Sequence, residues 1–242
     1  MRYKIVLSYD GSDFCGWQSQ PSGNSVQDAV ERAAKNLFGQ KVTVVGSGRT
    51  DAGVHALGQV AHFDSAKALP ISNVVGGLNA YLPKTVRVLS ACEASASFDA
   101  RKSAKRKTYM YLMYTGDVYP VLDGRAVNVG DSFDVDAVNA AAQAIVGEHD
   151  FSTFMASNGG AKTFVRTVYS ARAEVNGRFI AFYITANGFL YNMVRIIVAQ
   201  LMRVGKGENV DMRELIEKRD RSYAKDIAPA SGLYLHDVVY GD

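Results

Sequence analysis

The chain is poor in the residues that most directly advertise chemistry. Only two cysteines occur, Cys15 and Cys92, and neither sits in a CxxC or CxH spacing. That removes a disulfide framework and a thiolate zinc site. Prolines number five, and no Pro-rich or low-complexity linker divides the sequence. No run approaches the roughly 18 uninterrupted apolar residues of a membrane span, and the opening MRYKIVLSYD carries no cleavage signal. A cytoplasmic protein with no membrane partner is expected. Charge of one sign is scarce as well: the formal net charge is +3, too small for its sum to announce a polyanion-binding protein.

What is present is a large apolar fraction, 48%, enough for a sizeable core. RYKIVLSY alternates and predicts a strand. Ser25, with Asp28 three residues on, predicts a capped helix whose inner face is Val26, Ala29, Val30, Ala33 and Leu37 and which Gly39 ends. KVTVVG predicts a second strand, a glycine-rich loop follows, GQVAHFD makes a third strand, ISNVVGGLNAYLP a helix closed by Pro83, and TVRVLSACEA a fourth strand.

The order then repeats. KRKTYMYLMY reads as a strand, DVDAVNAAAQAIVG as a helix, and KTFVRTVYSARAEV with RFIAFYITA as a hairpin through Asn176-Gly177. YNMVRIIVAQLMRVG predicts a helix, followed by a shorter polar helix and a last strand, LHDVVY. The expected fold class is α+β. Two fused βαββαβ (ferredoxin-like) halves, residues 1–99 and 100–242, share one mixed, mainly antiparallel sheet, with helices packed outside and a central cleft.

Two segments carry candidate chemistry. RKSAKRK gathers Arg101, Lys102, Lys105, Arg106 and Lys107 just ahead of TYMYLMY. Such a run is either a solvated face or a phosphate-binding strip leading to stacking aromatics. The other segment is GSGRTDAGVHALGQVAHF, residues 46–63, where glycines surround a single carboxylate. A phosphate cradle fails there. Asp51 stands where a dinucleotide fingerprint needs a third glycine, no Gly-Lys-Ser/Thr occurs, and a strand rather than a helix follows. Asp51, His55 and His62 raise the question of a metal. Strand alternation puts His62 with Val60 and leaves His55 back in the loop, so convergence on one ion is unforced and no metal is expected.

The remaining reading makes Asp51 the reactive group. Gly46, Gly48 and Gly53 then give clearance to a bulky substrate, and a positive partner, Arg49 or Arg195, keeps the carboxylate ionised. An aspartate in a tight turn is the plain structural alternative, and the residue pattern alone does not choose between them.

GRTDAGVHALGQVAHF resembles the catalytic-aspartate segment of the tRNA pseudouridine synthase A family. The likeness extends in order along the chain through YDGSDFCGWQSQ, SVQDAVERA, GLNAYLP, FDARKSAKRKTYMY, GEHDFSTF, VRTV, FLYNMVR and APASGLYL. It implies that Asp51 attacks the target nucleotide at ribose C1′ or uracil C6, after which uracil turns and is rejoined through C5. It implies that Tyr109 holds the base, with Tyr111 on the same strand face as the fallback, and that Arg195 pairs with the aspartate. Arg49 would displace the target base from its stack, and Leu233 would contact the flipped ring. The basic run would supply phosphate contacts. No cofactor is implied. The implied partner is tRNA, modified at positions 38, 39 and 40 of the anticodon stem-loop, and the implied state is a homodimer. Ala199 and Ile227 depart from the family's usual glycine and threonine, which bears on substrate range. Two rivals stand beside this reading: a non-catalytic or narrow-specificity RNA-binding paralogue, and a carboxylate glycosidase, for which no second acid is evident.

Overall fold

The computed structural model describes residues 1–21, 23–157 and 160–241. They form two compact units, Met1–Lys105 with Tyr234–Asp242, and Arg106–Leu233. The sequence places a joint after residue 99; the units divide after Lys105, and Tyr234–Asp242 belongs to the first of them.

In the first unit, strand β1 (Arg2–Tyr9) alternates as its sequence does. Tyr3, Ile5, Leu7 and Tyr9 are buried, and the residues between them are half-exposed. Helix α1 (Val26–Phe38) begins at the expected capping box. The Ser25 side chain accepts from the Asp28 N–H while the Asp28 side chain accepts from the Ser25 N–H, and Gly39 ends the helix at φ +71. Two otherwise orphan N–H groups are thereby satisfied, worth about 1 kcal/mol for the serine cap. The inner face comes from Val26, Ala29, Val30, Ala33 and Phe38. Phe38 meets Tyr3 and Phe63 with ring centroids 5.6 and 5.5 Å away, and each such ring contributes roughly 1.5–3 kcal/mol by leaving water.

Of the predicted strand KVTVVG only β2 (Val45–Gly46) forms. Val42 and Val44 are buried all the same, and the Val44 N–H donates to Glu31 Oε1 of α1 at 2.9 Å instead of entering a ladder. The β-branched run marks burial there, not strand. Strand β3 (His55–Asp64), helix α2 (Ile71–Tyr81) and strand β4 (Val86–Ala94) follow. The last strand, which proves to be β10 (Leu233–Tyr240), pairs parallel with β3 through Tyr234 and His55 and through Leu235 and Ala56. The strand order in this unit is β4-β1-β3-β10, with β2 beside β3.

In the second unit, β5 (Ala104–Tyr114) pairs antiparallel with β9 (Phe179–Ala186), which pairs antiparallel with β8 (Val165–Asn176) through the Asn176-Gly177 turn, Gly177 lying at φ +59. Two short strands, β6 (Val127–Asn128) and β7 (Gly147–Asp150), were not expected. They add to β5 and β8 and are too short to show a periodicity. Helix α3 (Val135–Ala142) starts on the Asp134 side chain and tightens into a 3-10 turn over Gln143–Ile145. It therefore ends sooner than its apolar pattern suggests. Helix α4 (Met193–Gly205) is nearly all buried, and α5 (Met212–Lys218) is capped by Asp211.

The described residues thus contain ten strands and five α-helices, mostly antiparallel in pairing, and the α+β class holds. No described helix is long and apolar enough to cross a membrane.

Candidate active site

Asp51 is half-buried at the head of a turn in which its carbonyl accepts from the Val54 N–H at 3.1 Å. Gly53 supplies the left-handed residue of that turn at φ +77. The backbone leading into it is held from behind by buried side chains. Thr50 Oγ1 lies 2.8 Å from the Tyr9 hydroxyl, Ser47 Oγ donates to Gln59 Oε1 at 2.7 Å, and Gln59 Nε2 donates to the Gly48 carbonyl at 3.0 Å. Burial pushes the Tyr9 phenol up to about 12. It serves as a neutral strut and puts no second charge behind the carboxylate.

The loop over residues 10–17 closes on the same backbone. Trp17 N–H donates to the Thr50 carbonyl at 3.0 Å. Gly16, at φ +104, comes so near that a Cβ there would lie 2.6 Å from the Thr50 oxygen and 3.1 Å from the Asp51 carbonyl carbon. Gly46 makes room for the Trp17 indole, 2.5 Å from where its Cβ would stand. Tyr9, Gly16, Trp17 and Gln59 thus support the Asp51 loop, and their sequence positions alone did not mark them. Trp17 and Gly16 lie within the quoted YDGSDFCGWQSQ, but nothing in the spacing of a glycine and a tryptophan says what they press against. Arg49 is exposed, and its Nε donates to Gln18 Oε1 at 3.2 Å.

Both histidines of the segment spend Nδ1 on a peptide N–H. His55 accepts from Gly11 at 3.1 Å and stacks on Tyr234 at 4.6 Å, and His62 accepts from Ala100 at 3.0 Å. Burial, then the nearby Arg2 charge, moves His62 below the ordinary histidine value. Among the described residues no group of three His, Cys, Asp or Glu is placed to hold a metal ion.

In the second unit, Tyr109 is buried and meets Phe189 edge-on at 5.1 Å. Tyr111 is fully buried; its hydroxyl donates to the Pro229 carbonyl at 2.9 Å, and Gly232 lies against its ring. Burial raises the Tyr111 phenol well above its usual value, so it stays protonated. Arg195 stands in the first turn of α4, half-buried. Its Nε donates to the Ala228 carbonyl at 2.7 Å and its Nη1 to Asn192 Oδ1 at 3.0 Å. Asn192 precedes the helix in the left-handed region at φ +58, and its side chain serves Arg195 instead of capping the helix. One short segment, Ala228-Pro229, therefore fixes both the Tyr111 hydroxyl and the Arg195 guanidinium. Leu233 is buried just after the 3-10 turn Ala230–Gly232.

The basic run is not one strip. Arg101 and Lys102 are exposed in a turn, their N–H groups donating to Asp99 Oδ1 at 2.9 and 2.8 Å. Lys105 is exposed at the start of β5 and Lys107 half-exposed, on the strand face of Tyr109 by alternation. Arg106 points to the other face, its guanidinium 4.7 Å from the Tyr169 ring centre, a cation–π packing of roughly 0.5–1 kcal/mol where exposed.

A family profile described as tRNA pseudouridine synthase matches residues 5–101 and 141–241. The chain belongs to the tRNA pseudouridine synthase family. Asp51, Arg195 and Leu233 fall within the matched spans, whereas Tyr109, Tyr111 and the basic residues from Lys102 onward fall between them. Among curated relatives, a tRNA pseudouridine synthase A of Caldicellulosiruptor bescii is 43% identical over 98% of both chains. The protein of that name from Acetivibrio thermocellus is 42% identical over 98% of both. One from Paraburkholderia xenovorans is 44% identical over 99% of this chain and 90% of its own.

Proposed function

We propose that this member of the tRNA pseudouridine synthase family isomerises uridine to pseudouridine in the anticodon stem-loop of tRNA, at positions 38, 39 and 40, with Asp51 as the nucleophile. The observation that carries the reading is the Asp51 loop itself, a half-buried carboxylate on backbone pinned by buried neutral groups and lying inside the family match. In the reaction the N1–C1′ bond of uridine breaks and a C5–C1′ bond forms. The C5 hydrogen leaves as a proton and N1 takes one up, so atoms and electrons balance without a cofactor. Asp51 adds to C1′ or to C6 and is released when the new bond is made. A stacked nucleotide cannot present either carbon to a side chain, so the target flips out at a cost of a few kcal/mol.

Tyr109 is assigned to hold the flipped base, and Arg195 to act as the charge partner that the family likeness gives the aspartate. Arg49 fills the vacated stack, and Leu233 is the apolar contact. Arg101, Lys102, Lys105 and Lys107 of the basic run take phosphates, Arg106 being packed on Tyr169. A homodimer acting on tRNA in the cytoplasm completes the proposal, and sedimentation of a monomer at micromolar protein, with and without tRNA, would remove the dimer from it.

The deciding experiment is tritium release from tRNA labelled at uracil C5. Wild-type protein is expected to release tritium, and Asp51→Asn to release none while still binding tRNA. Turnover by Asp51→Asn would overturn the assignment of the nucleophile.

A further inference from the structure

The turn that carries Arg101 and Lys102 is fixed far more firmly than an exposed turn requires. Besides the two N–H groups that Asp99 accepts, the Asp99 N–H donates to Ser103 Oγ at 3.1 Å and the Ser103 N–H to the Asp99 carbonyl at 2.9 Å. Beneath it Ala100 is fully buried. Its N–H donates to His62 Nδ1 at 3.0 Å, and its carbonyl accepts from the Tyr240 hydroxyl at 2.7 Å. Phe98 fills the space beside these two rings, 5.9 Å from His62 and 5.0 Å from Tyr240. The Tyr240 hydroxyl also hydrogen-bonds the Ser47 side chain, at the start of the Asp51 loop. A surface turn can leave its peptide groups to water at little cost. Here a buried imidazole and a half-buried phenol, from β3 and β10, hold the two peptide groups that flank one residue, Ala100, and one of them reaches the reactive loop as well.

We propose that His62 and Tyr240 are positioning residues that set the Arg101–Lys102 turn at a fixed place relative to the Asp51 loop, so that the two cations grip a backbone phosphate of the RNA in register with the reacting uridine. Phosphate contacts carry little sequence information but fix register. Two cations on a pre-ordered turn lose less freedom on binding than two on a mobile one. The inference rests on the function proposed above.

The test is KM and kcat for tritium release from C5-labelled tRNA, with the salt dependence of tRNA binding. The variants are His62→Leu, His62→Asn, the double variant Arg101→Ala with Lys102→Ala, and that double variant combined with His62→Leu. Asparagine carries its oxygen on Cγ, where histidine carries Nδ1, so it can accept from Ala100 again. His62→Leu is expected to raise KM about tenfold, the scale of one charge-assisted contact, with a smaller change in kcat, and His62→Asn to restore it. Without the two cations the salt slope should fall by about two, and His62→Leu should add nothing further. An equal rise in KM with and without the cations, or no rescue by asparagine, would overturn the inference. Should leucine at position 62 prevent folding, Tyr240→Phe, which keeps the ring, reports on the same turn through the Ala100 carbonyl. Wild-type protein that releases no tritium would defeat the proposed function instead. The clamp is then read from tRNA binding alone, and affinity and salt slope left unchanged by loss of Arg101 and Lys102 would overturn it.

Discussion

The Asp51 loop and the Arg195 turn differ in what is seen to hold them. Around Asp51 the backbone is held, by Tyr9, Thr50, Ser47 and Gln59 from beneath and by Gly16 and Trp17 from the side. Around Arg195 the side chain is held directly, with two of its donors on Ala228 and Asn192. For Asp51 as the proposed nucleophile, a fixed backbone sets where the half-buried residue is presented. For Arg195 as the proposed charge partner, a guanidinium oriented beforehand needs no reorganisation during reaction.

Variants can break each side of this contrast. Arg195→Ala should lower kcat roughly a hundredfold or more with little change in fold. Arg195→Lys should recover only part, because an ammonium keeps the charge but cannot donate along both directions of the fork. Near-normal turnover by Arg195→Ala would remove it from the site. Gly16→Ala attacks the loop from the side. A methyl there combines backbone strain at φ +104 with a carbonyl contact at 2.6 Å, and should cost at least about 2 kcal/mol, read as a lowered denaturation midpoint. Unchanged stability would show that the loop yields easily. Tyr111→Phe should be milder. Pro229 is an exposed residue and its bond to Tyr111 only part-buried, so about 0.5–1.5 kcal/mol is expected with turnover retained. A large loss of turnover would give that hydroxyl a role in the chemistry.

The elements with a strong period were legible in the sequence: β1, α1 with its capping box, the Asn176-Gly177 hairpin and α4. The buried valines before β2 were misread because β-branched burial looks alike in a strand and in a segment whose N–H groups go to a helix side chain. At the site, Asp51 could be singled out because it is the one carboxylate among glycines. Its supports could not, since Gln59 and Tyr9 look like ordinary alternating strand residues until the fold shows what they touch. Gly46 was read as clearance for a substrate; in the structure the space left by its missing side chain holds the Trp17 indole. The basic run was read as one strip, although alternation in KRKTYMY sets Arg106 and Lys107 on opposite faces, while the clamp on Ala100 depends on residues as distant as His62 and Tyr240.

His62 offers the smallest effect and ties the supports to pH. Burial holds its folded value below that of the unfolded chain, which lies near 6.5. Above about pH 6.5 the imidazole is neutral in both states and Nδ1 accepts from Ala100 without penalty. As the pH falls through that value the unfolded chain takes up the proton first, so this contribution to stability is lost toward acid and not toward base. Arg2 disfavours the proton in the folded protein, while Asp99 and Asp64 partly favour it. The shift is therefore a balance, and the slope should be shallow. Urea midpoints at pH 7.5 and 5.5 should fall more for wild type than for His62→Asn, which cannot titrate. Equal falls would mean that the Ala100 peptide keeps its partner through the proton's arrival, for instance by a ring turn that presents the other nitrogen.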